Sequence, residues 1–173
     1  QVPRWHPSGG QIFFINNDLD SKKFQRGIWR ISSNGGNRTS LFLSDGIRSI
    51  DISPDGNKLL AYVRAGHFEG CLGTKLGLPS HTWQAEDGNK PWDNCLVTWD
   101  INTNDWSLSN QQIIQTQSPN VYYVNAVWSP DGTKIAAISD GVIVMDADGS
   151  NPKEITPASW KKETSERYHI DWR

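Results

Sequence analysis

The sequence predicts an all-β chain made of about three copies of a four-stranded sheet unit, and three observations lead there. A turn built on Pro, Asp and Gly recurs three times, a short apolar run follows each copy, and a second turn of Asn-Gly or Asp-Gly character recurs later in each unit. The first turn appears as Trp5-His6-Pro7-Ser8-Gly9-Gly10, as Ile52-Ser53-Pro54-Asp55-Gly56 and as Trp128-Ser129-Pro130-Asp131-Gly132. Proline fixes φ at the first central position, aspartate bonds its own backbone, and glycine takes positive φ at little cost. A strand must therefore enter before the turn and leave after it.

The strands leaving these turns are read at Gln11–Ile15, Lys58–Val63 and Lys134–Ile138, runs too short for helices and bounded by turn residues. A third strand follows in each unit, at Gly27–Ile31, Cys95–Asp100 and Gly141–Met145. It runs into Ser33-Asn34-Gly35-Gly36-Asn37, Asn102-Thr103-Asn104-Asp105 and Asp146-Ala147-Asp148-Gly149-Ser150-Asn151 respectively, which are hairpin signals. A fourth short strand is expected around Thr39–Leu43, Trp106–Ile114 and Lys153–Ile155. The whole chain, 1–173, is then one segment of repeats. Unit one covers about 2–46, unit two about 47–122, unit three about 123–168, and 169–173 restarts the motif as the beginning of a fourth. The middle unit is longer than its neighbours because residues 64–94, with scattered Gly and Pro and no strand or helix period, form an inserted loop between its second and third strands.

Composition narrows the functional classes. The chain has 17 Lys plus Arg against 19 Asp plus Glu, a net charge of −2, and 36% hydrophobic residues, which is an ordinary globular balance. It supplies no basic surface for a phosphate backbone, so nucleic acid is not expected as a partner. Apolar stretches such as Leu59–Val63 and Val142–Met145 are far below the ~18 residues a spanning helix needs, so no membrane span is expected. The first residue is Gln1 and not Met, so either a targeting peptide has already gone or the chain is part of something longer. The two cysteines, Cys71 and Cys95, bracket the loop, and a disulfide between them would restrain it; two free, partly buried thiols are the alternative.

The repeat of Trp128-Ser129-Pro130-Asp131-Gly132 through Ile143-Val144-Met145-Asp146-Ala147-Asp148-Gly149-Ser150-Asn151 to Ile155-Thr156 resembles the WD-like β-propeller repeat of the TolB type. The second unit keeps Ser-Pro-Asp-Gly, whereas the first has His6-Pro7-Ser8-Gly9 in its place. This resemblance implies a radial β-propeller with each unit a blade. It also implies a non-catalytic binding or scaffold module exported to the periplasm or the cell exterior, with the turn residues architectural. Propeller closure takes ~4–8 blades, so three blades form a partial or half propeller. The remaining blades would come from a longer chain or from a second copy, which would also hide edge strands. Two alternatives stand beside the binding module: part of a propeller enzyme acting on polysaccharide or peptide, and a structural protein whose copies complete a ring or a filament.

Candidate site residues fall mostly in the insertion. Trp83 and Trp92, with His81 and Asp93, combine stacking surface and polar groups suited to a sugar or a peptide, unless they form a small core that orders the loop. The recognised partner is expected to be a protein or a glycan, held by loops displayed on a rigid scaffold. His67 and Glu69, alternating with Cys71, are weak metal candidates, and no metal or other cofactor is expected. Asn37-Arg38-Thr39 is an acceptor pattern for an N-linked sugar at Asn37. No Gly-x-Ser-x-Gly elbow or paired nucleophile is present, so no catalytic residue is assigned. Trp5, Trp128 and Trp172 recur at one motif position and are expected to pack between blades, and Trp29 and Trp99 are read as equivalent core positions of the third strand.

Overall fold

The computed structural model describes residues 3–16, 26–44, 46–64, 94–114, 125–138, 141–156, 170 and 172, and the side chains of Arg64 and Asn94 are not among the described ones. The described residues form three four-stranded antiparallel sheets and no helix. Sheet 1 contains β1 (Arg4–Trp5), β2 (Gln11–Asn16), β3 (Gly27–Ser32) and β4 (Thr39–Leu43). Sheet 2 contains β5 (Ile47–Ile52), β6 (Lys58–Arg64), β7 (Asn94–Ile101) and β8 (Leu108–Ile114). Sheet 3 contains β9 (Asn125–Trp128), β10 (Lys134–Ile138), β11 (Val142–Asp146) and β12 (Lys153–Glu154). Within each sheet the strands lie side by side in chain order. The first strands are neighbours, β1 against β5 and β5 against β9, so the sheets radiate from them. This is the blade arrangement of a partial propeller.

The repeat is visible in hydrogen bonds as well as in letters. In the first turn Gly9, Gly56 and Gly132 donate their N–H to the carbonyls of His6, Ser53 and Ser129. The Ser53 hydroxyl donates to Asp55 Oδ1 at 2.6 Å and accepts from the Lys58 N–H at 2.9 Å, and Ser129 does the same with Asp131 and Lys134 at the same distances. One register position further, Lys58 faces Asp100 across β6 and β7 as Lys134 faces Asp146 across β10 and β11, each pair joined by an ion pair. Sheet 1 carries Gln11 opposite Ser32 at this position, an uncharged version of the same rung.

This register corrects one expectation. Ser32 corresponds to Asp100, so the counterpart of Trp99 is Ile31, and that of Trp29 is Val97. Trp99 is buried and meets the Phe42 ring of sheet 1 at 5.3 Å, whereas Trp29 is half-buried under the Arg38 guanidinium, 4.7 Å from its ring centroid. The two indoles do not sit alike.

The core divides by interface. Between sheets 1 and 2 lie Phe13 and Ile28 from one side and Ile52, Leu59, Ala61, Val97 and Trp99 from the other. Between sheets 2 and 3, Leu60, Tyr62, Leu96 and Ile114 pack on Ala126, Trp128, Ile135, Ala137 and Met145. Each interior sheet interface thus uses alternate residues of a strand, as the period of two demands. The insertion of sheet 2 leaves from the last rung of the ladder, where Arg64 pairs with Asn94 and Val63 with Cys95. The residues read as its ends, Arg64 and Asn94, therefore belong to strands. No strand is assigned at Ile170 or Trp172.

Candidate functional site

The first strands place one side chain from each sheet at the axis where they meet. Arg4, Asp51 and Val127 occupy the same position, one residue before Trp5, Ile52 and Trp128. Arg4 reaches from sheet 1 to sheet 2, with Nε 3.1 Å from Asp51 Oδ1 and donating to the Ile50 carbonyl at 3.2 Å. Asp51 in turn reaches sheet 3, where its Oδ2 accepts the Trp128 N–H at 2.8 Å. The two side chains are only 12% and 15% exposed, so the relay runs in a medium where an unpaired charge would be costly.

A pocket of about 350 Å³ opens over this relay. Trp5, 58% exposed, and Trp172, 36% exposed, stand on its walls with Trp128, which is buried. Pro3, Pro54 and Pro130 complete the walls, so three positions of rigid backbone carry no N–H. Among the described residues Trp128 packs between sheets as expected, whereas Trp5 is exposed and Trp172 is partly so. The cause for Trp5 is position. Ile52 and Trp128 pack against the sheet before their own, and no described sheet precedes sheet 1.

Beside the pocket, His6 fastens sheet 1 to sheet 2. It is buried and stands where Ser53 and Ser129 stand in the other units. Its Nε2 is 3.0 Å from the Gly56 carbonyl, an acceptor, so Nε2 donates. Nδ1 is then the acceptor, 3.2 Å from the Ser8 N–H and 2.8 Å from the Ser8 hydroxyl. Trp106 holds a positive φ of 63° and meets the His6 ring edge-on at 5.0 Å, a strained backbone kept in place by packing.

A second cleft, of about 430 Å³, lies between sheets 2 and 3 and is lined by Asp55, Asp131, Asp148, Lys58 and Thr98 among others. Its carboxylates are held ionised by the turns. The Ser129 hydroxyl, then the Thr133 N–H and hydroxyl, keep Asp131 down at about 2. The Ser53 hydroxyl and Asn57 N–H lower Asp55, and Ser150 lowers Asp148. On sheet 3, Lys134 and then Asn151 hold Asp146 at about 2. Among the described residues no group of three or more His, Cys, Asp or Glu is arranged to hold a metal ion.

Of the residues singled out in the sequence, His81, Trp83, Trp92 and Asp93 lie outside the described residues, as do Cys71, His67 and Glu69. Cys95 is buried, and among the described residues there is no free cysteine. Asn37 is exposed on the turn between β3 and β4, with φ of 55° and its carbonyl accepting the Thr39 hydroxyl at 3.1 Å. The relay of Arg4 and Asp51 and the exposure of Trp5 escaped the sequence reading. Its one linear signal was that Arg4 and Asp51 immediately precede equivalent motif positions.

No family model matches the chain, and no curated protein matches it. Solved structures of propeller fold do. A gluconolactonase from Xanthomonas campestris aligns with a TM-score of 0.56 at 16% identity, over 86% of this chain and 44% of that one. A putative TolB from Agrobacterium tumefaciens aligns at 0.55 and 15%, over 89% and 45%. An oligogalacturonate lyase from Vibrio parahaemolyticus aligns at 0.51 and 13%, over 89% and 36%. The chain thus spans less than half the length of these structures, and the likeness is one of fold.

Proposed function

We propose that this chain is a non-catalytic binding module of TolB-like propeller type, recognising a protein or glycan partner at the axial pocket and exported to the periplasm or the cell exterior. The observation that carries this reading is the make-up of the pocket. Two indoles, Trp5 and Trp172, give stacking surface, while Asp51, the one carboxylate among the described lining residues, is engaged by Arg4 and the Trp128 N–H. The insertion, with His81, Trp83, Trp92 and Asp93, is proposed as a second contact surface. A Cys71–Cys95 disulfide is proposed to restrain it, supported by the burial of Cys95 and the lack of a free cysteine among the described residues. The remaining blades are proposed to come from a longer polypeptide or a second copy, supported by the coverage of less than half of the structures above. No helix among the described residues is long and apolar enough to cross a membrane.

The test is calorimetric titration with a glycan and peptide panel, repeated on Trp5→Ala and on Trp83→Ala/Trp92→Ala. Binding that weakens at least about tenfold in Trp5→Ala, with the ligand recovered unchanged, supports the module. Turnover of the bound ligand, or affinity indifferent to all three tryptophans, defeats it.

A further inference from the structure

We infer that the cleft between sheets 2 and 3 docks a basic peptide segment of a protein partner, an aromatic side chain entering between the sheets while its Lys or Arg neighbours meet the acidic rim; this rests on the binding-module reading above but not on the axial pocket. The cleft lies between two sheets of this chain and has a volume of about 430 Å³. The equivalent place between sheets 1 and 2 shows what fits such a gap. There Trp106 stands edge-on to His6 at 5.0 Å and to Phe13 at 6.4 Å, and Ile101 is buried in the same cluster. His6, Ile101 and Trp106 each have a smaller counterpart at the second cleft. Ser53 stands for His6. Ala147 stands for Ile101, since their N–H groups donate to the equivalent carbonyls of Thr133 and Asn57. Gly149, with φ of +85°, stands for Trp106, with φ of 63°, as the first left-handed residue after the third strand. A Cβ on Gly149 would strike Ile114 on the cleft wall, so this position faces the cleft and leaves it open. Trp128, where sheet 2 has Ile52, takes back part of the room, and the remainder is walled by Ile114, Trp128 and Ala147.

Charge selects what flanks the inserted side chain. Asp55, Asp131 and Asp148 line the cleft against Lys58, the one cation among the described lining residues, which is already paired with Asp100 at 2.7 Å. The turns hold these carboxylates in place, as the Ser129 hydroxyl and the Thr133 N–H and hydroxyl do at Asp131 Oδ1. A fixed acidic rim around apolar walls attracts a cationic partner and repels an acidic one. A neutral sugar would meet the walls but leave the carboxylates without a countercharge, which favours the basic peptide.

The experiment titrates the chain and its variants calorimetrically with three tripeptides capped at both ends, Lys-Trp-Lys, Lys-Ala-Lys and Glu-Trp-Glu. The expected result is that Lys-Trp-Lys binds about tenfold or more tighter than either of the others. Ala147→Phe, which fills the cleft from within, should weaken Lys-Trp-Lys by about tenfold or more, and a melting temperature no lower than the parent's shows that it folds. Asp148→Lys reverses the charge at an exposed rim position and should weaken Lys-Trp-Lys while strengthening Glu-Trp-Glu. Trp5→Ala should leave all three affinities unchanged. Equal affinity for the three peptides, a preference for Lys-Trp-Lys that survives Ala147→Phe and Asp148→Lys, or binding lost in Trp5→Ala overturns the cleft assignment and leaves the binding module standing. Failure of these peptides to bind, while ligands of the earlier panel still bind, also overturns the cleft alone. Failure of both sets overturns the module with it.

Discussion

At the scale of single residues, His6 and Gly56 form a matched pair. A Cβ on Gly56 would lie 2.5 Å from His6 Nε2, and its φ of +77° already disfavours any side chain. Gly9, the equivalent of Gly56 in sheet 1, has a similar φ of +74° but nothing within 4 Å of the added atom. Gly9→Ala should therefore cost about 1 kcal/mol, the backbone strain alone, and Gly56→Ala about 2–4 kcal/mol by urea denaturation, because the ring must leave its carbonyl. The turn carboxylates give a second expectation. Asp131 and Asp146, both at about 2 in the folded chain, stabilise it fully above their ordinary range near 3.8, and that contribution disappears as pH falls from about 4 toward 2. Melting temperature followed against pH should stay level near neutrality and drop in that window, and Asp131→Asn should flatten part of the drop. The serine-to-histidine exchange at the head of unit one was legible as a turn substitution, but the role of the ring was not. It depends on Gly56, fifty residues away, whose approach no local pattern encodes.

Among elements, two ion pairs of the same chemistry have different weights. Lys58 and Asp100, 48% and 39% exposed, brace neighbouring strands from the solvent side, and a double-mutant cycle should return less than about 1 kcal/mol. Asp51 links three first strands from a mostly buried position. Asp51→Asn should destabilise by about 2–3 kcal/mol, because one Arg4 contact and the acceptor of the Trp128 N–H are weakened together. A smaller effect for Asp51→Asn than for breaking the Lys58 rung would contradict the relay. The turns and most of the strands could be read from the chain, since Pro-Asp-Gly and Asp-Gly set them locally. Register could not. Trp29 and Trp99 both fall in the third strand of their units, and only the equivalent rungs, Gln11 with Ser32 and Lys58 with Asp100, show that they are offset by two residues.

In the molecule as a whole, one face is uneven. Trp5, Ile12, Phe14, Trp29 and Ile31 share the side of sheet 1 that corresponds to the covered side of sheet 2, and no described sheet packs on it. Apolar patches of this kind promote association. Light scattering should show a mass that rises with concentration, and Phe14→Glu should hold it at that of one chain; a single-chain mass at every concentration in the unaltered protein would contradict this. The candidate site divided in the same way: tryptophans could be counted in the sequence, but which of them remain open to a ligand depends on which sheet stands next to which. The inserted loop has a different consequence. Its two ends meet on one rung, Arg64 beside Asn94, so the sheet closes whatever lies between them. The junction is a socket, and foreign sequences grafted there, or a tight turn in their place, should leave the surrounding architecture standing while changing what the molecule can grasp.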